Sequence, residues 1–384
     1  MTTHTDATPS HDADDAPTAS TRAWAGVAST SRWRWCYALG FLAVVGGGFV
    51  AALFNPSLTE WPSEPLVDGR WAEAFQREFD ATSWLLAPSR LAWGVIDVGL
   101  FGQGRPGVLI GSEGWLYSRE EYDTVPDAEA AVAAWVERIA EVRSDLADHG
   151  VELVVAIVPA KASMVPAFAP APLPAAASAR FDALLHGLRA AGVIASDVRP
   201  ALADLTAQHA YLRTDTHWTP TGAAAAAAAI AATVRERAPF EGLDDTAFVT
   251  EHDEARAHWG DLTVFLDLGP LLERLGPPPD LIAVPSTSGV DPPGDDLFAE
   301  VQIPVVLVGT SYSADPMWNT AGALREALGS DLIEATLIGL GPWEPMHRYL
   351  SGDALWSSPP QVVIWEIPER YLTLGGHVPE SARW

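Results

Sequence analysis

The chain has 384 residues, 50 Asp and Glu against 23 Lys and Arg, and a formal net charge of −27. That balance disfavours nucleic acid, whose phosphates are neutralised by Lys and Arg, and it equally disfavours an anionic lipid surface. With 48% apolar residues there is enough material for a substantial core in one large or two ordinary domains, and the single cysteine, Cys36, excludes an intramolecular disulfide and a cysteine-based zinc site.

Residues 1–34 are rich in Thr, Ala, Ser and Asp and lack a periodic apolar pattern, so they read as a disordered tail. "WCYALGFLAVVGGGFVAALF" then runs from Trp35 to Phe54 without a charge. At a helical rise of about 1.5 Å per residue it covers about 30 Å, one hydrocarbon core. Arg22, Arg32 and Arg34 precede it, and Glu60, Glu64 and Asp68 follow. The positive-inside rule therefore places the tail in the cytoplasm and residues 55–384 outside. A cleaved signal peptide with "VAAL" as a poor cleavage site is the competing reading, and a buried core helix is the third. The long polar stretch before the run, the length of the run and its lack of a polar face favour an uncleaved anchor.

Within the exported part, "GRWAEAFQREFD" (69–80) spaces Trp71, Phe75 and Phe79 four apart and predicts a short amphipathic helix. "GVLIGSEGWLYSREEY" (107–122) holds two short apolar runs around Gly111 and Gly114 and predicts a hairpin. A helix is expected over 127–148, a buried strand at "VELVVAIVP" (151–159), a loop at 166–177 and a helix over 178–192. Thr219 and Pro220 form a helix entrance, a capping hydroxyl followed by Pro at the first helical position, and the alanines that follow leave a narrow face for packing on a sheet. "QIPVVLVGTSYS" (302–313) and "QVVIWEIPERYL" (361–372) predict two more buried strands, the latter stopped by Pro368, with a helix at 318–328. Strands alternating with helices indicate an α/β domain with a mostly parallel sheet flanked by helices. The segment 239–300, with "GPPPD" and "DPPGDD", reads as an irregular insertion.

In open α/β sheets, sites lie beyond the carboxyl ends of strands, where "VVLVGT" places Ser311. Alone, a Ser between strand and helix is more often an N-cap. Asp215 and His217 supply what a serine nucleophile lacks: an imidazole to take its proton and a carboxylate to hold the imidazole's tautomer. A surface turn, with Asp on backbone amides and His exposed, is the other reading of that pair.

Four stretches, "GSEGWLYSREEY", "TDTHWTPTGA", "PVVLVGTSYSA" with "MWN", and "VIWEIPERYL", together resemble the alginate O-acetyltransferase family of the AlgJ/AlgX type, with its SGNH hydrolase-like domain. The order Asp, His, Ser along the chain matches that family and reverses the order of ordinary SGNH hydrolases. The resemblance implies Ser311 as acetyl-accepting nucleophile, His217 as general base and Asp215 as its orienting carboxylate. It implies an oxyanion site from backbone amides near Ser311, with the Asn319 side chain as a further candidate. Trp218, Tyr312, Glu366 and Arg370 fall in the matching motifs, where aromatic packing and a structural ion pair are their other readings. Two departures stand out: Pro159-Ala160-Lys161 replaces an expected Pro-Asp-Lys, and the sequence given ends at Trp384 without an AlgX-like carbohydrate-binding module, an AlgJ-like expectation.

The expected activity is O-acetyl transfer to hydroxyls of an exported polysaccharide, alginate-like or other. No cofactor or metal is expected beyond an acetyl donor, and a multi-spanning MBOAT-type membrane partner would deliver the acetyl group. The expected location is the bacterial inner membrane, single-pass, with the catalytic domain in the periplasm. A carbohydrate esterase using the same three residues differs only in accepting water. A metallophosphoesterase would use the Asp215-x-His217 pair to open a metal site and recruit His252, Asp253, His258 and the Gly260-Asp261 pair as further ligands, and a non-catalytic envelope scaffold would use none of them.

Overall fold

The computed structural model describes residues 31–53, 69–82, 86–290 and 303–374. It divides into two compact units, one up to Ser89 and one from Arg90 onward.

In the first unit, α1 (Ser31–Leu53) is a 23-residue helix that begins four residues before the predicted anchor. Trp35, Tyr37, Phe41, Leu42 and Phe49 are exposed along it. Among the described residues no helix is long and apolar enough to cross a membrane. Side chains of α1 are described only over 35–50, short of the predicted span 35–54; of the tail predicted as disordered over 1–34, residues 31–34 are instead the first turn of α1, and 1–30 lie outside the described residues. The second helix, α2 (Arg70–Thr82), has the predicted periodicity, with the Trp71 and Phe75 rings stacked 5.2 Å apart.

The second unit contains most of α3 (Leu86–Ile96), then the predicted hairpin, β1 (Val108–Ile110) with β2 (Leu116–Ser118), paired antiparallel from Val108↔Ser118. Next come α4 (Ala128–Ala147), β3 (Glu152–Val158), α5 (Ala175–Ala190), β4 (Ile194–Asp197) and α6 (Pro220–Arg237). The stretch read as an irregular insertion carries two small antiparallel pairs. These are β5 (Phe248–His252) with β8 (Pro285–Gly289), and β6 (Arg256–His258) with β7 (Asp280–Ile282). The chain then passes through β9 (Val305–Gly309), α7 (Ser311–Ala314), α8 (Thr320–Leu328), β10 (Leu332–Thr336), α9 (Trp343–Ser351) and β11 (Val362–Pro368).

Five strands form one parallel sheet in the order β10-β9-β11-β3-β4. The three predicted strands occupy its centre, and their β-branched runs are buried because helices cover both faces. Alternation sorts the side chains. Val154, Ala156, Leu307 and Ile364 join a core with α6 and α8, while Val155, Ile157, Val308 and Trp365 join another with α4, α5 and α9. The alanine face of α6 thus packs on α8 as well as on the sheet. The edge strands β4 and β10 were not predicted. "IASD" and "LIEAT" are short and partly polar, and pairing with a neighbour, not their own composition, makes them strands. Two boundaries also move: α5 starts three residues early, which shortens the Pro- and Ala-rich loop, and α8 starts two residues late.

Candidate active site

Two loops at the carboxyl ends of strands and helices bring the chemistry together. Residues 211–218 close on themselves through the Tyr211↔Trp218 bridge and the bond from Leu212 N to His217 O. Thr219 caps α6 as predicted, its hydroxyl accepting from Gly222 N at 3.0 Å.

Buried charged groups fix this loop from below. Lys161, wholly buried, donates from Nζ to the carbonyls of Leu116 (2.6 Å), Arg213 (3.0 Å) and Asp215 (3.0 Å), using all three of its protons. Its ammonium also lies 5.1 Å from the rings of Trp115 and Tyr117. Ala160 stands where the family pattern expects an acid, and carboxylates reach the neighbouring backbone from elsewhere. Glu369 accepts from Ala160 N and Glu121 from Lys161 N and Ala162 N. Burial pushes Lys161 down to about 8 and Glu369 up to about 7.

The supposed insertion holds the loop from the other side. Asp280 accepts from Arg213 N, Thr214 N and the Thr214 hydroxyl, and Asp261 from Thr216 N and the Thr216 hydroxyl. Gly260 is pressed so close to Asp215 that a Cβ there would lie 2.4 Å from the Asp215 Cβ.

At the tip of this loop, Asp215 Oδ1 meets His217 Nδ1 at 2.5 Å, and His217 Nε2 meets Ser311 Oγ at 2.8 Å. A carboxylate only accepts, so Nδ1 carries the proton and Nε2 is left to accept from the serine hydroxyl. Asp215 Oδ1 does accept from its local amide, His217 N at 3.0 Å, but His217 is only 7% exposed, so the pair is not a solvated surface turn. The second oxygen, Oδ2, accepts from Asp261 N (3.0 Å) and from His258 Nε2 (3.3 Å). Burial opposes ionisation of Asp215, yet the bonds from His217 and His258 outweigh it and hold this carboxyl well below the usual range. The bond to Asp215 raises His258 in turn, while burial and the Asp215 charge raise Asp261.

Ser311 follows β9 as predicted, but it is not the cap of the helix after it. Thr310 occupies the cap position of α7, its hydroxyl facing Tyr312 N at 3.4 Å, and Ser311 opens the helix with its own hydroxyl free for His217. Glu366 on β11 holds this turn, accepting from Thr310 N (2.7 Å), the Thr310 hydroxyl (3.1 Å) and the Ser313 hydroxyl (3.1 Å). Burial raises Glu366 to about 7. Only glycine fits at 309, where a Cβ would stand 2.7 Å from Glu366 Oε2.

Aromatic rings wall the imidazole. Trp318 stacks on His217 at 4.9 Å and donates Nε1–H to Ser311 O, and Tyr312 lies 4.5 Å away with its hydroxyl donated to Thr216 O. Trp218 meets Tyr312 edge-on at 5.1 Å, and the Arg370 guanidinium sits 5.5 Å from the Tyr312 ring centre. Glu366 and Arg370 do not pair with each other; Arg370 bridges to Glu120 at 3.5 Å. Asn319, with a left-handed backbone (φ 53°), donates its side-chain amide to Thr287 Oγ1 on β8.

Of the residues weighed for a metal, His258 and Asp261 reach the site, while His252 and Asp253 are exposed. Asp215, His217 and Asp261 have donor atoms within 4.8 Å of one another. These atoms are already engaged, His217 Nδ1 with Asp215 and Asp261 Oδ2 with the Thr216 hydroxyl, so a cation would have to displace bonds that shape the loop.

The five-stranded parallel sheet with helices on both faces is an SGNH hydrolase-like α/β fold, and Ser311, His217 and Asp215 stand in hydrogen-bonded sequence on it. The chain belongs to the family described as SGNH hydrolase-like domain, acetyltransferase AlgX, whose model matches residues 108–369. It is 42% identical over 328 residues to the probable alginate O-acetylase AlgJ of Azotobacter vinelandii, covering 83% of this chain and 84% of that one. The solved O-acetyltransferase domain of Pseudomonas putida AlgJ is 40% identical, with a TM-score of 0.63 over 70% of this chain and 93% of that domain. Pseudomonas aeruginosa AlgX, at 22% identity and a TM-score of 0.54 over 70% of this chain and 67% of its own, shares the fold.

The structure brings the three residues named from the sequence, Asp215, His217 and Ser311, into hydrogen bonding, and adds supports to which sequence reading assigned no role there: Lys161, Glu121, Asp261, His258, Asp280 and Glu366. The signal was present in part, since a Lys in an apolar run and a Glu within "VVIWEIP" are charges with no water to face.

Proposed function

We propose that the protein is an O-acetyltransferase that moves an acetyl group through an acetyl-Ser311 intermediate onto hydroxyls of alginate or a closely similar exported polysaccharide. The observation that carries this is the unbroken line Asp215 Oδ1, His217 Nδ1, His217 Nε2, Ser311 Oγ, at 2.5 and 2.8 Å, with Asp215 and His217 buried and Ser311 partly exposed. Kinship with alginate O-acetylases supports the choice of group and acceptor.

In the first half, Ser311 Oγ attacks the acetyl carbonyl of the donor while its proton passes to His217 Nε2. The bond from the acetyl carbon to the donor's leaving atom breaks, and that atom takes the proton back from the imidazolium. In the second half a sugar hydroxyl loses its proton to His217 and attacks the acetyl-serine; Ser311 Oγ leaves and recovers the proton. Asp215, ionised throughout, keeps Nδ1 protonated and stabilises the imidazolium formed in each half. The Ser311 amide, first in α7, has no acceptor within its helix and is an oxyanion donor candidate.

The reaction requires no cofactor besides the acetyl donor. The apolar run 35–54 serves as a single-pass inner-membrane anchor with the catalytic unit in the periplasm, and an MBOAT-type membrane partner supplies the acetyl group. The test is intact-protein mass after incubation with an activated acetyl ester. One added acetyl in the wild type and none in Ser311→Ala or His217→Ala is the expected result. Equal labelling of wild type and Ser311→Ala sinks the reading.

A further inference from the structure

Trp318 touches both ends of the proton path between His217 and Ser311. It stands between α7 and α8, just before Asn319, whose left-handed backbone turns the chain into α8, and it is 2% exposed. Its ring centre lies 4.9 Å from that of His217, with the two planes 20° apart. Its Nε1–H donates to Ser311 O at 3.0 Å, a carbonyl that also receives Asp315 N at 3.3 Å.

His217 takes a proton from Ser311 Oγ in the first half of the transfer and from the sugar hydroxyl in the second, so an imidazolium forms twice per turnover. An aromatic face carries the negative part of the ring quadrupole and attracts a cation. Trp does so most strongly, and the attraction grows where water is excluded. Asp215 meets the new charge in the imidazole plane, at Nδ1, whereas Trp318 meets it from the face. Tyr312, the other ring beside His217, is inclined at 55° and already has the Arg370 guanidinium 5.5 Å from its centre. With Nδ1 held by Asp215 and the face held by Trp318, the imidazole cannot turn Nε2 away from Ser311 Oγ without breaking one contact or the other. The other titratable groups around this stack are Asp261, Glu366, Asp315 and His258, the last with its ring centre 6.3 Å from Trp318 and edge-on to it.

We propose that Trp318 is a positioning residue for acyl transfer: its indole face steadies the charged His217 ring formed in each half, and its N–H ties down the backbone of the residue that carries the nucleophile. This rests on reading Ser311 as that nucleophile and His217 as its base.

The experiment places tryptophan analogues with one to four ring fluorines at position 318 of the full chain and follows the rate of acetyl-Ser311 formation by intact mass with an activated acetyl ester. Fluorine draws electron density from the ring face and nearly keeps the ring's shape, so a role in packing alone gives a flat series. The expected result is a stepwise fall that reaches about 5- to 30-fold at full substitution, with melting temperatures unchanged. Trp318→Leu should lose at least as much, and Trp318→Phe, which keeps a face and lacks the N–H, should fall between. A flat fluorine series overturns the proposal, including when Trp318→Leu is slow because it folds poorly. Fluorine NMR of the singly substituted chain supplies a readout that needs no turnover. On acidification its resonance should move in a step that His217→Gln removes and His258→Gln retains; absence of that step also overturns the proposal. Should wild type and Ser311→Ala label equally, the nucleophile assignment fails, and the fluorine step alone decides whether Trp318 faces a charged His217.

Discussion

Replacing Lys161 with Met tests whether the loop at 211–218 is held by a buried cation. The substitution keeps the volume and removes the Nζ donors to the carbonyls of Leu116, Arg213 and Asp215; Arg213 O keeps its bond from Leu116 N at 2.9 Å, so two carbonyls, those of Leu116 and Asp215, are stranded. Each stranded carbonyl costs about 1–3 kcal/mol. Against this stands the cost of burying the ammonium: its fall from 10.5 to about 8 corresponds to about 3 kcal/mol. The variant should therefore be less stable by about 1 kcal/mol at pH 7, read from urea unfolding followed by tryptophan fluorescence. Release of the Asp215 carbonyl lets Asp215 drift from His217, and a misplacement of about 1 Å costs on the order of 100-fold, so acetylation of Ser311 should slow by that order. The pH dependence has a definite sign. Between about 8 and 10.5 the unfolded chain binds the Lys161 proton and the folded chain has released it, so wild-type stability rises with pH across that window. The gap between wild type and Lys161→Met should widen there. A variant as stable as wild type with an unchanged labelling rate, or a gap that narrows from pH 8 to 10.5, refutes the reasoning.

Two further outcomes probe the contribution of segment 239–300. Gly260→Ala places a Cβ 2.4 Å from the Asp215 Cβ and 2.6 Å from its Cα and N, where no flexible side chain can yield. It should cost about 1–3 kcal/mol and slow acetylation about 100-fold, while Gly99→Ala, with nothing within 4 Å, changes neither; equal behaviour of the two would count against the contact. His258→Ala removes a donor to Asp215 Oδ2 and should slow acetylation about 5-fold at pH 7, far less than His217→Ala. Because the folded state raises His258, its stabilisation is fully present below the unfolded value and is lost as pH rises through the raised one. Melting curves of wild type and variant should thus differ most in mild acid and converge on the alkaline side; divergence with rising pH would contradict the His258–Asp215 bond.

Much of the architecture was legible in local pattern. The runs at 151–159, 302–313 and 361–372 are long and β-branched enough to be central strands wherever they pair, and Thr219-Pro220 starts a helix by its own chemistry. Asp215, His217 and Ser311 were recognisable because a serine needs a base and the base needs an acid, a requirement that residue types alone express. Short-range signals could not reach β4, β10 or the order inside 239–300, whose strands exist through partners far away in the chain. The same limit hid Lys161, Glu366 and Asp261 as supports: each binds backbone 45 to 56 residues distant, and no spacing rule encodes that reach. The sequence by itself determined which side chains could do the chemistry. Tertiary structure alone decided that Asp215 faces two histidines and that a buried lysine holds its loop, because burial sets which polar groups must find one another away from water.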